Sequence, residues 1–175
     1  MSAEFKFNAI KISEVEFVLI FDMDQVVMYN VNSKCWTHIG YLRNPRAFSA
    51  AAFFNGKVLV TGGDIFGSSG YEQRQRSRNT EIIDIDKREI RPGGDLNHGR
   101  NMHGMATVTI NDEKRLIAFG FTDGLVKNQR FDDRYIEIWN DEKEIWELNE
   151  NEANRAISYK ISFTTLTIPS YNNLI

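Results

Sequence analysis

A segment that returns about every 54 residues constrains this chain more than anything else in it. A fixed period of that length means similar units packed side by side, none of which buries its apolar face alone. Tyr29-Asn30-Val31-Asn32-Ser33-Lys34-Cys35-Trp36 aligns with Ile83-Asp84-Ile85-Asp86-Lys87-Arg88-Glu89-Ile90, and both align with Trp139-Asn140-Asp141-Glu142-Lys143-Glu144-Ile145-Trp146, at offsets of 54 and 56 residues. Arg46 and Arg100 follow the first two anchors by ten residues, and Arg155 follows the third by nine. Each arginine opens a β-prone run, over residues 47–54, 101–110 and 156–168.

Every unit reads as four short strands. In the middle unit they fall at 47–54, 57–61, 80–86 and about 89–91, and Asn55-Gly56, the strongest short hairpin signal, joins the first two. The third unit is expected at 102–110, 115–121, 134–140 and 144–148, and the first at 5–13, 16–21, 25–30 and 35–39. A fourth begins at Arg155 and is expected to hold one strand, ended by Pro169. Composition agrees: 18 Ile stand against 9 Leu, with 9 Val and 9 Thr, and β-branched side chains suit a pleated sheet.

Four-stranded antiparallel units of this length point to a β-propeller, in which blades pack radially. Arg46-x-x-Ser49 with Gly62-Gly63, Arg100-x-x-His103 with Gly120, the Tyr/Ile/Trp–Asn/Asp pair and the outer Trp36 and Trp146 resemble kelch repeats over about residues 15–165. Departures mark the repeats as degenerate: only the middle unit has the Gly-Gly pair, and Ile90 replaces its outer Trp. The fold expected is all-β, a kelch-type propeller fragment with blades at about 5–39, 47–91 and 102–148 and a lone strand at 156–168. In such a blade the first strand lies nearest the axis, and the small residues Ser49-Ala50-Ala51-Ala52 and Gly104-x-Ala106 suit the crowding there. Trp36 and Trp146 are expected to fill the wider outer space as core.

An antiparallel meander sends its connections alternately to two ends. The 1–2 and 3–4 turns are short; the 2–3 connections and the links between units include the long segments 64–79, 122–133, 40–45 and 92–99, all at the other end. Long connections without secondary structure of their own are where binding is sought. The binding residues expected there are Phe66, Tyr71, Arg74, Arg76 and Arg78 on the 64–79 loop, joined by Arg43, His98 and Arg130. Guanidinium forks suit carboxylate or phosphopeptide partners. Arg46, Arg100 and Arg155 recur with the period, so they are expected to make structural bonds between blades.

Other chemistry is poorly supported. Net charge is −3, and three alternate arginines do not make a nucleic-acid site. The longest early apolar run, Phe17 to Phe21, falls far short of the ~20 residues a membrane span needs. The single Cys35 excludes an internal disulfide and makes a reducing, cytoplasmic setting the simpler expectation. His38, His98 and His103 are not spaced as metal ligands, Asp22-Met23-Asp24 reads as a turn, and Gly67-Ser68-Ser69-Gly70 lacks the Lys-Ser/Thr and helix of a phosphate loop. No catalytic residue, metal or cofactor is expected.

What the resemblance implies is capture of a protein or peptide by the long-loop face, with recruitment to a ubiquitin ligase or actin binding as the roles common among relatives. Two rivals are a kelch-like enzyme, such as a sugar isomerase or lyase using Asp64, Tyr71 and Asp123, and a truncated product without activity of its own. Three units and one strand fall short of the 4–8 blades of closed propellers. Edge strands at 5–13 and 159–168 are therefore expected to invite pairing with another copy.

Overall fold

A computed structural model describes residues 8–21, 23–67, 70–110, 112–120 and 136–148. They form four antiparallel sheets and no helix. The first sheet is a meander of β1 (Asn8–Lys11), β2 (Glu16–Phe21), β3 (Gln25–Asn30) and β4 (Cys35–Tyr41). A second comprises β6 (Ala50–Phe54), β7 (Lys57–Thr61), β10 (Thr80–Asp84) and β11 (Glu89–Pro92). A third comprises β12 (Gly104–Ile110), β13 (Glu113–Phe119), β14 (Glu137–Asn140) and β15 (Ile145–Leu148). The first strands lie side by side, β1 beside β6 and β6 beside β12.

The anchor segment has a local cause. Asn30, Asp84 and Asn140 each cap the turn between the third and fourth strands, accepting from the backbone N–H of Ser33, Lys87 and Lys143 at 3.0, 3.1 and 3.1 Å. The turn then passes through a left-handed residue, Lys34, Arg88 or Glu144. At Asn55-Gly56 both residues have positive φ, 46° and 79°, the two-residue turn that matches strand twist.

Two cores join the three units. Val58, Val60 and Ile83 of the second pack against Ile10, Val18, Ile20 and Val26 of the first, under Leu42. Phe54, Leu59 and Ile82 pack against Leu116, Ala118, Trp139 and Trp146 of the third, under Leu96. Leu42 and Leu96 occupy one repeat position in the two links, and both are buried.

Three expectations need correcting. The run 47–54 is not one strand: Phe48 takes φ 58°, which separates β5 (Arg46–Ala47) from β6. Met102 repeats that kink at φ 50°, and its N–H donates to the Phe48 carbonyl at 2.9 Å. The loop 64–79 is not structureless either. It contains β8 (Asp64–Gly67) and β9 (Gly70–Arg76), which with β5 form a fourth, three-stranded sheet. Finally, Trp36 is 58% exposed whereas Trp146 is 4% exposed, because the face of the first sheet that holds Trp36 has no described sheet against it. Strand β1 ends its sheet, paired with β2 among the described residues, and β6 of the next blade lies beside it. The lone strand at 156–168 lies outside the described residues.

Candidate functional site

The end of the molecule that carries the long connections is built on two buried arginines. Arg46 enters from the link after β4, and its backbone N–H donates to the Met23 carbonyl of the first unit at 3.2 Å. Its side chain turns into the second unit, donating to the carbonyls of Gly62 and Asn79 at 3.2 and 2.9 Å and pairing with Glu81 on β10 at 2.5 Å. Both side chains are excluded from solvent. Burial pulls the Arg46 guanidinium below its ordinary pKa, and the charge and hydrogen bond of Glu81 work against that.

Arg100 repeats the arrangement one unit on. Its carbonyl accepts from Gly63 N–H at 2.7 Å, its Nη1 donates to the Gly120 carbonyl at 2.9 Å, and its guanidinium pairs with Glu137 on β14 at 2.9 Å. The second carboxylate oxygens take link amides: Arg43 N–H donates to Glu81 at 2.7 Å and Asn97 N–H to Glu137 at 2.5 Å. The expected structural bonds between units are therefore present at Arg46 and Arg100, backbone to the preceding unit and side chain to their own. Arg155 lies outside the described residues. The sequence reading missed the carboxylate partners, although Glu81 and Glu137 share one repeat position, where the first unit has Val27.

Gly62 and Gly63 let the next link come this close. At Gly62, with φ +60°, a Cβ would stand 2.6 Å from the Arg100 carbonyl oxygen; at Gly63, with φ +91°, it would stand 2.7 Å from that of Ala47. Against them lies His103, whose Nε2 is 2.8 Å from Thr61 Oγ1. Its Nδ1 is buried without a hydrogen-bond partner, and burial, helped by the charge of Arg100, pushes its pKa down to about 3. A neutral ring sits there at any ordinary pH.

On this base stands the β8–β9 hairpin. In the ladder Ala47 pairs with Asp64 and Asp64 with Arg76, while Phe66 pairs with Arg74. Asp64 is 4% exposed and accepts from Asn101 Nδ2 at 2.8 Å, which fastens β8 to the link after β11. Arg78 is fastened too: its Nε donates to the Leu96 carbonyl at 2.7 Å and its own carbonyl accepts from Leu96 N–H at 2.8 Å. Asn79 reaches Asp95 at 3.1 Å.

The eight expected binding residues therefore sort themselves. Tyr71, Arg74 and Arg76 lie on β9, the outer strand of the small sheet, and Phe66 lies opposite Arg74 on β8. The Arg76 side chain is exposed. Arg78 is a tie between hairpin and link as well as a surface residue. Arg43 is exposed on one link and His98 half-buried on the other. Arg130, like Asp123 and the whole 122–133 connection, lies outside the described residues. Among the described residues no group of three or more His, Cys, Asp or Glu could hold a metal ion, and no helix is long and apolar enough to cross a membrane.

No family model matches the chain. Over 96 residues it is 32% identical to beta-scruin of Limulus polyphemus, a kelch-repeat protein; the alignment covers 55% of this chain and 10% of beta-scruin. The solved structure of YjhT superimposes with a TM-score of 0.63 over 85% of this chain and 52% of that one, at 13% identity. The chain thus spans a tenth of one relative and about half of the other. At that identity the second match speaks for the fold alone. Together with the all-β architecture, the two comparisons support a kelch-like family.

Proposed function

We propose that this chain is a non-enzymatic protein-interaction module, a three-bladed arc of a kelch-type propeller, that captures an extended acidic segment of a protein partner along β9. The observation that carries the reading is the fourth sheet. A hairpin inserted between the second and third strands of the middle blade is anchored at its base by Asn101, Arg78 and β5, and ends in a strand that, among the described residues, is paired on one side. A strand edge of this kind recognises an added strand by main-chain hydrogen bonds, and its side chains supply selectivity. Arg74 and Arg76, at alternate positions of β9, select carboxylate or phosphate groups. Phe66 and Tyr71 are positions of the same hairpin, and Arg43 and His98 lie on the links at that end of the blades. Recruitment to a ubiquitin ligase or to the cytoskeleton is the kind of task the kelch resemblance implies for such capture.

The enzymatic alternative loses one of its residues to architecture. Asp64 is buried and spends its carboxylate on Asn101, which is the position of a fastening rather than of a base facing substrate.

Binding is tested with an array of extended acidic and phosphorylated peptides read by fluorescence anisotropy. Reversal of both charges, Arg74→Glu with Arg76→Glu, is expected to weaken the best peptide by ~10-fold or more. N-methylation at alternate peptide positions is expected to abolish binding by removing the main-chain bonds. Peptides that bind equally well to the double variant refute the reading.

A further inference from the structure

We propose that the face of the first blade that carries Trp36, against which no described sheet lies, is a docking surface for a second copy of this chain, whose third blade seats on it while its first blade receives the third blade of this copy. The reasoning starts from register. In the second blade Val60 pairs with Ala51 and Val58 with Ile83, which pairs with Ile90. In the third, Ala118 pairs with Met105, and Trp139 pairs with Trp146. These positions receive the preceding blade in both cores.

The first blade presents the same positions with the same pairing. Leu19 pairs with Ala9, and Phe17 pairs with Tyr29, which pairs with Trp36. Their rings already cluster, Tyr29 and Phe21 lying 4.5 and 6.3 Å from Trp36 between centroids. Yet Trp36 and Tyr41 are each 58% exposed. A surface patterned position by position as an inter-blade joint, and aromatic where the joint is widest, continues the established interface by one more step.

Charge at the outer corner selects the occupant. Between the second and third blades, Glu144 in the left-handed turn position receives Arg91 at 2.5 Å and Lys57 at 3.2 Å. Lys34 holds the Glu144 position in the first blade, with φ 56° against 52°. In the third blade Glu147 holds the Arg91 position, opposite Ile138 as Arg91 is opposite Ile82. A third blade seated on a first blade thus repeats the ion pair with its signs exchanged, Glu147 against Lys34. Both side chains are exposed. Ala106 and Ile138 repeat Ala52 and Ile82 behind them.

Sedimentation of the 175-residue chain over about 1 to 100 µM tests the proposal. A dimer is expected. Lys34→Glu alone and Glu147→Lys alone should each weaken it by ~10-fold, and an equimolar mixture of the two variants should restore it, since each joint then carries one complementary pair. Trp36→Asp should yield monomer with unchanged circular dichroism. A chain monomeric throughout the range, which would leave the face to blades on a longer polypeptide, overturns the proposal. So does a dimer indifferent to both single reversals, as face-to-face pairing of two first blades or edge pairing would give.

Discussion

Arg100 and Arg76 carry the same charged group, and the fold assigns them opposite tasks. The first, like Arg46, has no exposed side-chain surface and is closed in by a carboxylate and backbone carbonyls. The second stands exposed on a hairpin strand. Periodicity separates them: an arginine that returns with the unit serves the joint each unit must make, whereas one confined to a single insertion serves something only that unit does. Arg78 shows where the rule blurs, since it lies on the insertion and still ties it to Leu96.

The contrast is broken most strongly by removing one partner from a buried pair. Glu137→Ala leaves the Arg100 charge without its counter-ion and strips Asn97 of its acceptor. A loss of about 3–5 kcal/mol is expected in urea denaturation. Replacing both members, Arg100→Met with Glu137→Leu, should recover much of it, because an apolar pair leaves no buried charge behind. If the single variant unfolds at the wild-type midpoint, the arginine is not held as described.

Next comes the backbone that lets the link approach. Gly56 and Gly62 both have positive φ, but a Cβ at Gly56 meets nothing within 4 Å whereas at Gly62 it meets the Arg100 carbonyl at 2.6 Å. Gly56→Ala should therefore cost only the left-handed penalty, about 1 kcal/mol. Gly62→Ala should cost that and a further ~1–2 kcal/mol for pushing the Arg100 segment away. Equal costs in the two variants would mean that the Gly-Gly pair is there for conformation alone.

His103 tests the same joint through pH. Its folded pKa of about 3 lies below the ordinary 6.5, so the unfolded chain takes up the proton first and stability falls as pH drops from 6.5 toward 3. The Arg91–Glu144 pair begins to matter only below about pH 4.5, since Glu144 is held at about 2 by hydrogen bonds from Arg91 and Lys57. Between pH 6.5 and 4.5 the His103 contribution should therefore amount to about 2 kcal/mol, visible as a falling urea midpoint. His103→Gln should flatten that interval. A wild-type slope that survives the substitution assigns the titration elsewhere.

How much of this was legible in the residues follows the same division. The anchors place the four-strand units because an Asx-capped turn and a left-handed residue are local requirements, satisfied within a few residues of Asn30, Asp84 and Asn140. Partners far along the chain were not legible one unit at a time: Glu81 lies 35 residues from Arg46 and looks like any polar residue on a strand. Only the comparison of units shows it. Phe48 and Met102 kink the chain without a glycine, so no residue type announces the break between β5 and β6. In sequence the hairpin looks like a long connection because Gly67-Ser68-Ser69-Gly70 interrupts it, and β8 and β9 emerge only in the structure. Trp36 shows the converse error: its counterpart Trp146 is core, whereas Trp36 itself is exposed in the first blade.

The smallest expected effect sharpens the comparison most. Arg76→Ala removes the same number of side-chain atoms as Arg100→Ala, and the residue keeps its place on β9. Because its guanidinium is exposed, solvent replaces what the side chain touches, and stability should change by no more than about 0.5 kcal/mol. Peptide capture should fall with it all the same. If instead the urea midpoint drops as it does for Glu137→Ala, β9 is part of the scaffold, and the hairpin's arginines belong with Arg46 and Arg100 after all.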